Sequence, residues 1–216
     1  MHPALVICGA GVFGAGAGAA CIPLVNRYLK KLESNPLSVK GSAIFIVVLA
    51  LLWAAVFAVK GWCAQAILLG LATSALLSLS LIDWKTYEIP FAYNVFIFVL
   101  GIFTLVFDLT HWYEYVIGFF AISLPLLGLF YLSKGRAIGG GDVKLMAACG
   151  MLLGWKLTLL GFVLGCIIGS VVHILRMKIS GEKHVLAMGP YLSVGVFISA
   201  LFGNAAITWY LSMLGL

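Results

Sequence analysis

The sequence predicts an all-α, polytopic membrane protein of about eight transmembrane helices. Three observations carry that prediction. Hydrophobic residues make up 63% of the 216-residue chain, charged residues only 9%, and the mean hydropathy is +1.16, whereas soluble domains run at about 45–50% apolar and about 25% charged. The apolar residues fall in unbroken runs long enough for helices of about 20 residues, and the alternating short strands of a membrane barrel are absent. The thirteen basic residues lie in the connections or at span ends and divide unevenly between the two sides. This much apolar surface with this little charge also excludes a disordered chain.

The predicted spans are 3–25, 43–60, 62–82, 89–107, 112–132, 138–155, 157–175 and 190–214. The first has small residues every three or four positions in GAGVFGAGAGAAC, a pattern that suits close helix packing. Only Met1 and His2 precede it, without the basic region of a signal peptide, so it is read as a helix. The second and third are separated near Lys60, and the third ends at Asp83. The fourth restarts at Ile89-Pro90, since proline is tolerated in a first helical turn. The fifth is a continuous apolar run.

The sixth is short. Only thirteen residues run from Val143 through Trp155, and reaching eighteen requires extending back through the glycines to Ile138, which brings Asp142 to membrane depth. It is read as spanning because otherwise Arg176, Lys178 and Lys183 would change sides. The seventh and eighth are ordinary apolar runs. No internal repeat is present, and one transmembrane domain is expected across 1–216. The longest connection is a short loop over 26–42, followed by 176–189.

With this layout one set of loops holds Arg27, Lys30, Lys31, Lys40, Lys85, Lys134, Arg136, Lys144, Arg176, Lys178 and Lys183, and the opposite set holds Lys60 and Lys156. The positive-inside rule puts the eleven in the cytosol and both termini outside. The net charge of +6 is therefore a topology signal, with attraction to anionic lipid as a side effect, and nucleic acid is not an expected partner. Trp53, Trp62, Trp84, Trp112, Trp155 and Trp209 mostly sit near span ends, as an interfacial belt does.

The polar residues with chemistry to offer are few. Cys8, Cys21, Cys63, Cys149 and Cys166 occur singly, with no CxxC pair and no Cys/His cluster at zinc spacing; neither a metal site nor a cofactor is expected. Of the seven acidic residues, Glu33 and Glu182 sit in basic loops, and Asp108 and Glu114 in the outer loop with His111. Glu88 stands at a boundary. Asp83, in LLSLSLIDWKTYEIP, and Asp142, in AIGGGDVKLMAACG, fall at the hydrocarbon edge on the basic side. A charge at a helix centre costs about 2.5–3.5 kcal/mol on insertion scales and less near the edge, so a carboxylate kept there is a functional candidate. Each aspartate alone reads equally well as a helix-end residue that caps the helix or pairs with Lys85 or Lys144.

Together they supply more. Two carboxylates brought close cannot both ionise easily and come to share a proton. One then activates water while its protonated partner polarises a peptide carbonyl. Gly139, Gly140 and Gly141 would leave bare backbone beside Asp142 for an extended substrate. Leu145 and Met146 share the Asp142 face, whereas Lys144 points away and is expected to reach toward the lipid headgroups. His173 is read as a packed histidine, and His2, His111 and His184 show no ligand pattern.

At these residues the chain resembles the prepilin peptidases, membrane aspartic proteases of the GxGD type. The resemblance is carried by IDWKTYEIP (Asp83 to Pro90), GGGDVKL (Gly139 to Leu145) and AMGPYLSVG (Gly189, Pro190), in that order and on an eight-span layout. It implies removal of the short basic leader of type IV prepilins or pseudopilins on the cytosolic face of a bacterial inner membrane. Asp83 and Asp142 would be the catalytic pair. Gly139, Gly140, Gly141, Lys144, Glu88, Ile89, Pro90, Gly189 and Pro190 would shape the site or bind substrate. Two departures stand out. Phe91 follows Ile89-Pro90 where many members carry a polar residue, leaving Asn94 as the next polar candidate. The cysteine-containing cytosolic region of larger members is missing, so peptidase without methyltransferase is expected. The competing readings are a proton- or ion-coupled transporter, which would carry repeats and midplane carboxylates, and a non-enzymatic subunit of a secretion assembly.

Overall fold

The computed structural model describes residues 3–136, 138–180 and 186–215. His2, Glu182, Lys183 and His184 lie outside the described residues. Within them the chain is all-helical: α1 (Pro3–Lys31), α2 (Val39–Lys60), α3 (Ala64–Thr86), α4 (Phe91–Phe107), a 3₁₀ turn at Leu109–His111, α5 (Trp112–Ala121), α6 (Ser123–Leu132), α7 (Gly140–Leu153), α8 (Trp155–Ser180) and α9 (Gly189–Met213). Six stretches are long and apolar enough to cross a membrane: 4–31, 39–60, 64–86, 109–132, 155–179 and 189–213. At 17 residues α4 is a shorter apolar helix. The chain packs as two units, Met1–Phe96 and Ile97–Leu216, with the boundary inside α4.

In the first unit α1 and α2 run antiparallel, with glycines of α1 seated against Ile46, Ala50 and Trp53 of α2. A Cβ on Gly14 would stand 2.7 Å from Trp53 Cβ, and one on Gly18 would stand 3.1 Å from Ile46 Cα. Bare backbone is what lets the two helices approach. Trp53 then bridges to α3: its ring lies on Gly70, and its Nε1 donates to Ser74 Oγ at 3.0 Å.

The expected loop over 26–42 is shorter than predicted. Helix α1 continues to Lys31 and α2 begins at Val39, because the intervening Arg, Tyr, Leu and Lys residues are adequate helix formers once they pass into water. What remains, 32–38, is closed by specific bonds. Ser34 N–H donates to Leu29 O at 2.8 Å across a left-handed Glu33 (φ 54°). Leu37 N–H donates to Asn26 Oδ1 at 2.8 Å, and Ser38 Oγ caps α2 by accepting from Gly41 N–H at 3.1 Å.

In the second unit the predicted span 112–132 is broken at Ile122 into α5 and α6. Pro125 is the cause: it has no N–H for the carbonyl four residues back, and its ring crowds that turn. Ser123 Oγ donates to the Phe119 carbonyl beside the break. Helix α7 is helical over 14 residues, where 138–155 was expected to be one span. At 1.5 Å per residue that is about 21 Å, short of a hydrocarbon core of about 30 Å. The glycines at its start leave Gly139 extended (φ −76°, ψ 140°), and Gly154 (φ 77°) ends it.

Even so, α7 connects opposite ends of its unit. Its start lies on Phe130 near the end of α6, and its end lies on Glu114 near the start of α5. Helices α8 and α9 are antiparallel through Gly161, Gly165 and Gly195, whose missing side chains let backbone meet backbone, with Ser199 Oγ donating to Leu157 O at 2.6 Å. Thr158 Oγ1 on α8 lies 3.3 Å from Cys149 O on α7, so α8 turns back along α7. Gly189 and Pro190, which open α9, therefore stand toward the end of the unit where α7 begins.

Candidate functional site

Helix α3 carries an unusual number of polar groups for an apolar segment. Thr73, Ser74, Ser78 and Asp83 are all buried on it, and Asn94 is buried on α4 of the same unit. The hydroxyls bond back into their own helix: Thr73 to Leu69 O (2.7 Å), Ser74 to Gly70 O (3.0 Å) and Ser78 to Ser74 O (2.7 Å). This satisfies them without water, which is why such residues are tolerated here. These hydroxyls are not among the site residues expected from the sequence. Their signal was the i, i+4 spacing of Ser74 and Ser78 within LATSALLSLSLID.

Asp83 is 4% exposed, one turn from the end of α3. Tyr87 closes that end in a left-handed conformation (φ 56°), its N–H donating to Asp83 O at 2.8 Å. Lys85 is exposed and its Nζ donates to Asn35 O at 3.0 Å. That bond fixes the level of Asp83: it lies at the end of the first unit occupied by the 32–38 turn, which Lys30, Lys31 and Lys40 flank. Glu88 is exposed in the following loop, and Ile89 and Pro90 are partly buried as the chain enters α4, with Tyr93 N–H donating to Pro90 O at 3.1 Å.

Asp142 is 8% exposed, in the first turn of α7. A carboxylate there meets the free N–H groups and positive end of the helix dipole. Its backbone N–H donates to Gly139 O at 3.1 Å, and its Oδ2 lies 3.0 Å from where a Cβ on Gly139 would stand. The carboxylate thus folds back over a residue that has no side chain. Gly140 and Gly141 are partly buried in the same turn, and Lys144 is exposed, away from the buried face of Leu145 and Met146. Lys134 and Arg136 belong to the turn that leads into α7, so Asp142 also stands at a basic end of its unit. Gly189 is buried and Pro190 partly buried at the start of α9.

Of the six described acidic residues, only Asp83 and Asp142 are buried. Glu114 is paired with Lys156 at 2.9 Å, and Asp108 meets His111 Nδ1 at 2.9 Å and the Tyr115 hydroxyl at 3.1 Å. The hydrogen bond from His111, opposed next in size by desolvation and reinforced by the Tyr115 bond and the His111 charge, holds the Asp108 carboxyl below its ordinary value. No three His, Cys, Asp or Glu side chains gather as a metal site requires among the described residues.

The fold and these side chains define a class: an all-α, multi-pass membrane protein with one buried carboxylate at the basic end of each unit. Residues 70–174 match the family model described as the type IV leader peptidase family, a stretch that contains Asp83, Ile89-Pro90 and Gly139–Asp142 and stops short of Gly189. Over that stretch, just under half of its length, the chain is similar to the type IV leader peptidase family. It is similar to prepilin leader peptidase/N-methyltransferases of Legionella pneumophila (33% identical over 39% of this chain and 31% of the relative), Stutzerimonas stutzeri (30% over 69% and 54%) and Pseudomonas putida (28% over 70% and 55%). The chain spans about a third to just over half of the length of these curated relatives. No solved structure matches it.

Proposed function

We propose that this chain is a membrane-embedded aspartic endopeptidase that removes the basic leader of type IV prepilins or pseudopilins at the cytosolic face of a bacterial inner membrane. Asp83 and Asp142 work as a pair that shares one proton. The ionised carboxylate takes a proton from water, and the water oxygen attacks the scissile carbonyl carbon. The protonated partner donates to the carbonyl oxygen. Collapse of the tetrahedral species breaks the C–N bond as the amide nitrogen takes up a proton, and the pair returns to its single-proton state. No cofactor enters this scheme. The relatives are named for two activities, peptidase and N-methyltransferase, and this chain covers only part of their length. The activity proposed here is the peptidase.

The observation that supports this reading is the burial of Asp83 and Asp142 when every other described carboxylate is exposed, half-exposed or ion-paired. A charge retained in an apolar interior is costly, and here both retained carboxylates fall inside the matched family region. Their position at the basic ends, away from the midplane, favours proteolysis at the membrane face over ion transport.

The test is co-expression with candidate prepilins, following leader removal by mass. Asp83→Asn and Asp142→Asn each abolish processing while remaining in the membrane at wild-type levels. Continued cleavage by either variant removes that residue from the chemistry.

A further inference from the structure

We propose that Phe130, on α6, is a positioning residue for Asp142: its ring clasps the two glycine backbones that bracket the turn from α6 to α7 and so sets the first turn of α7. The catalytic importance of that turn rests on the peptidase reading above, but the clasp itself does not.

The geometry is local and specific. Helix α6 ends at Leu132, and the chain reverses through two consecutive left-handed residues, Lys134 (φ 53°) and Gly135 (φ 74°). Gly135 N–H donates to Phe130 O at 2.8 Å, and the Ser133 hydroxyl donates to the same carbonyl at 3.3 Å. The ring of Phe130 lies against both ends of the turn. A Cβ on Gly135 would stand 3.3 Å from ring atom Cε2, and one on Gly140 would stand 3.6 Å from it. The ring therefore packs on main chain at the residue that opens α7, two positions before Asp142.

The rest of α7 is anchored elsewhere. Gly101 backs onto the Met151 and Leu152 backbone, with a would-be Cβ at 2.7 Å from Met151 C, and Gly118 meets Gly150 and Gly154. These contacts hold the C-terminal half of α7, in the stretch from Gly150 to Gly154. The first turn, which carries Asp142, has Phe130 as its aromatic clamp. Removing the ring should loosen that turn while leaving the body of the helix packed. Glycines cannot compensate for the lost ring, because they have no side chains to fill the gap and too much backbone freedom to hold the turn.

The decisive measurement reads Asp142 without requiring any substrate. Full-length protein in proteoliposomes is treated with a water-soluble carbodiimide and an amine over a range of pH, and modification of Asp142 and Asp83 is followed by peptide mass mapping. In Phe130→Ala, Asp142 is modified several-fold faster and its pH profile moves, while Asp83 is unchanged and serves as the internal control. Phe130→Tyr, which keeps the ring, restores wild-type behaviour. Phe130→Leu is the milder truncation that carries the test if the alanine variant does not fold, and it gives a smaller change in the same direction. Unchanged modification of Asp142 in a folded truncation overturns the proposal. With a cleavable prepilin, Phe130→Ala lowers kcat by about ten-fold at nearly constant KM, as loss of orientation does. If Asp142→Asn still cleaves, the peptidase reading fails while the labelling result still decides the role of Phe130.

Discussion

Gly139 shows how a single missing side chain shapes this site. Its backbone is extended at φ −76°, a conformation open to any residue, so conformational freedom is not its role. What matters is the space: a methyl group there would press on Asp142 Oδ2 at 3.0 Å. Gly139→Ala should therefore displace the carboxylate by a few tenths of an ångström and leave the fold intact. The expected outcome is a fall in kcat of about ten-fold or more, since misplacement on the ångström scale costs up to about a hundred-fold, with an unchanged thermal unfolding midpoint. Asp108 offers a contrasting residue, outside the spans. Its carboxyl is held below the ordinary value of 3.8 chiefly by His111. A depressed folded-state pKa contributes stability above the unfolded value that is lost as pH falls through the folded one. The 108–111 turn should thus keep its amide-exchange protection down to about pH 4, the ordinary carboxyl range, and lose it only at lower pH. Asp108→Asn should flatten that dependence and leave leader cleavage untouched.

Among the elements, α7 depends most on neighbours that the sequence does not announce. Gly150 of α7 and Gly118 of α5 meet backbone to backbone, so a Cβ on either would collide with the other's main chain. Gly150→Ala should destabilise the second unit by about 1–3 kcal/mol, the range for forcing extra volume into a packed contact. A drop in the detergent unfolding midpoint would register it, and a wild-type midpoint would show that the two helices do not cross there. The helical spans themselves were legible because hydropathy and length are local properties. Asp83 and Asp142 stood out for the same reason, as carboxylates interrupting apolar runs beside basic loops. The break at Ile122 was present in the sequence as Pro125, but the apolar run continues through it and hid the division into α5 and α6. The extension of α1 to Lys31 is not legible from hydropathy, because charged residues end the hydrocarbon stretch without ending the helix. The Gly118–Gly150 contact and the Phe130 clasp could not be read at all. They join positions that are neighbours only in three dimensions.

For the molecule as a whole, each unit has a basic end and an aspartate buried near it. In the first, the link from Lys85 to Asn35 ties Asp83 to the 32–38 turn. In the second, Lys134 and Arg136 lead into the helix of Asp142, and the Glu114–Lys156 pair marks the opposite end. The proposed pairing requires the positive-inside rule to bring both basic ends to one leaflet, since only there can two carboxylates act on one water. That condition has a direct physical test. In a background in which the five native cysteines are replaced by serine or alanine, Asp83→Cys and Asp142→Cys are combined, and the membranes are treated with oxidant or a short bis-maleimide. A water held between two carboxylates requires side chains within a few ångströms, so the double variant should form an intramolecular cross-link, detected as a closed loop after proteolysis between them. Either single variant combined with Glu114→Cys, at the opposite end, should not. Membrane-impermeant thiol reagents should reach Lys134→Cys from the cytosolic side and Lys156→Cys from the other. Absence of the Asp83–Asp142 cross-link in folded protein, under conditions that join control pairs within one unit, would leave two isolated buried acids and no paired mechanism.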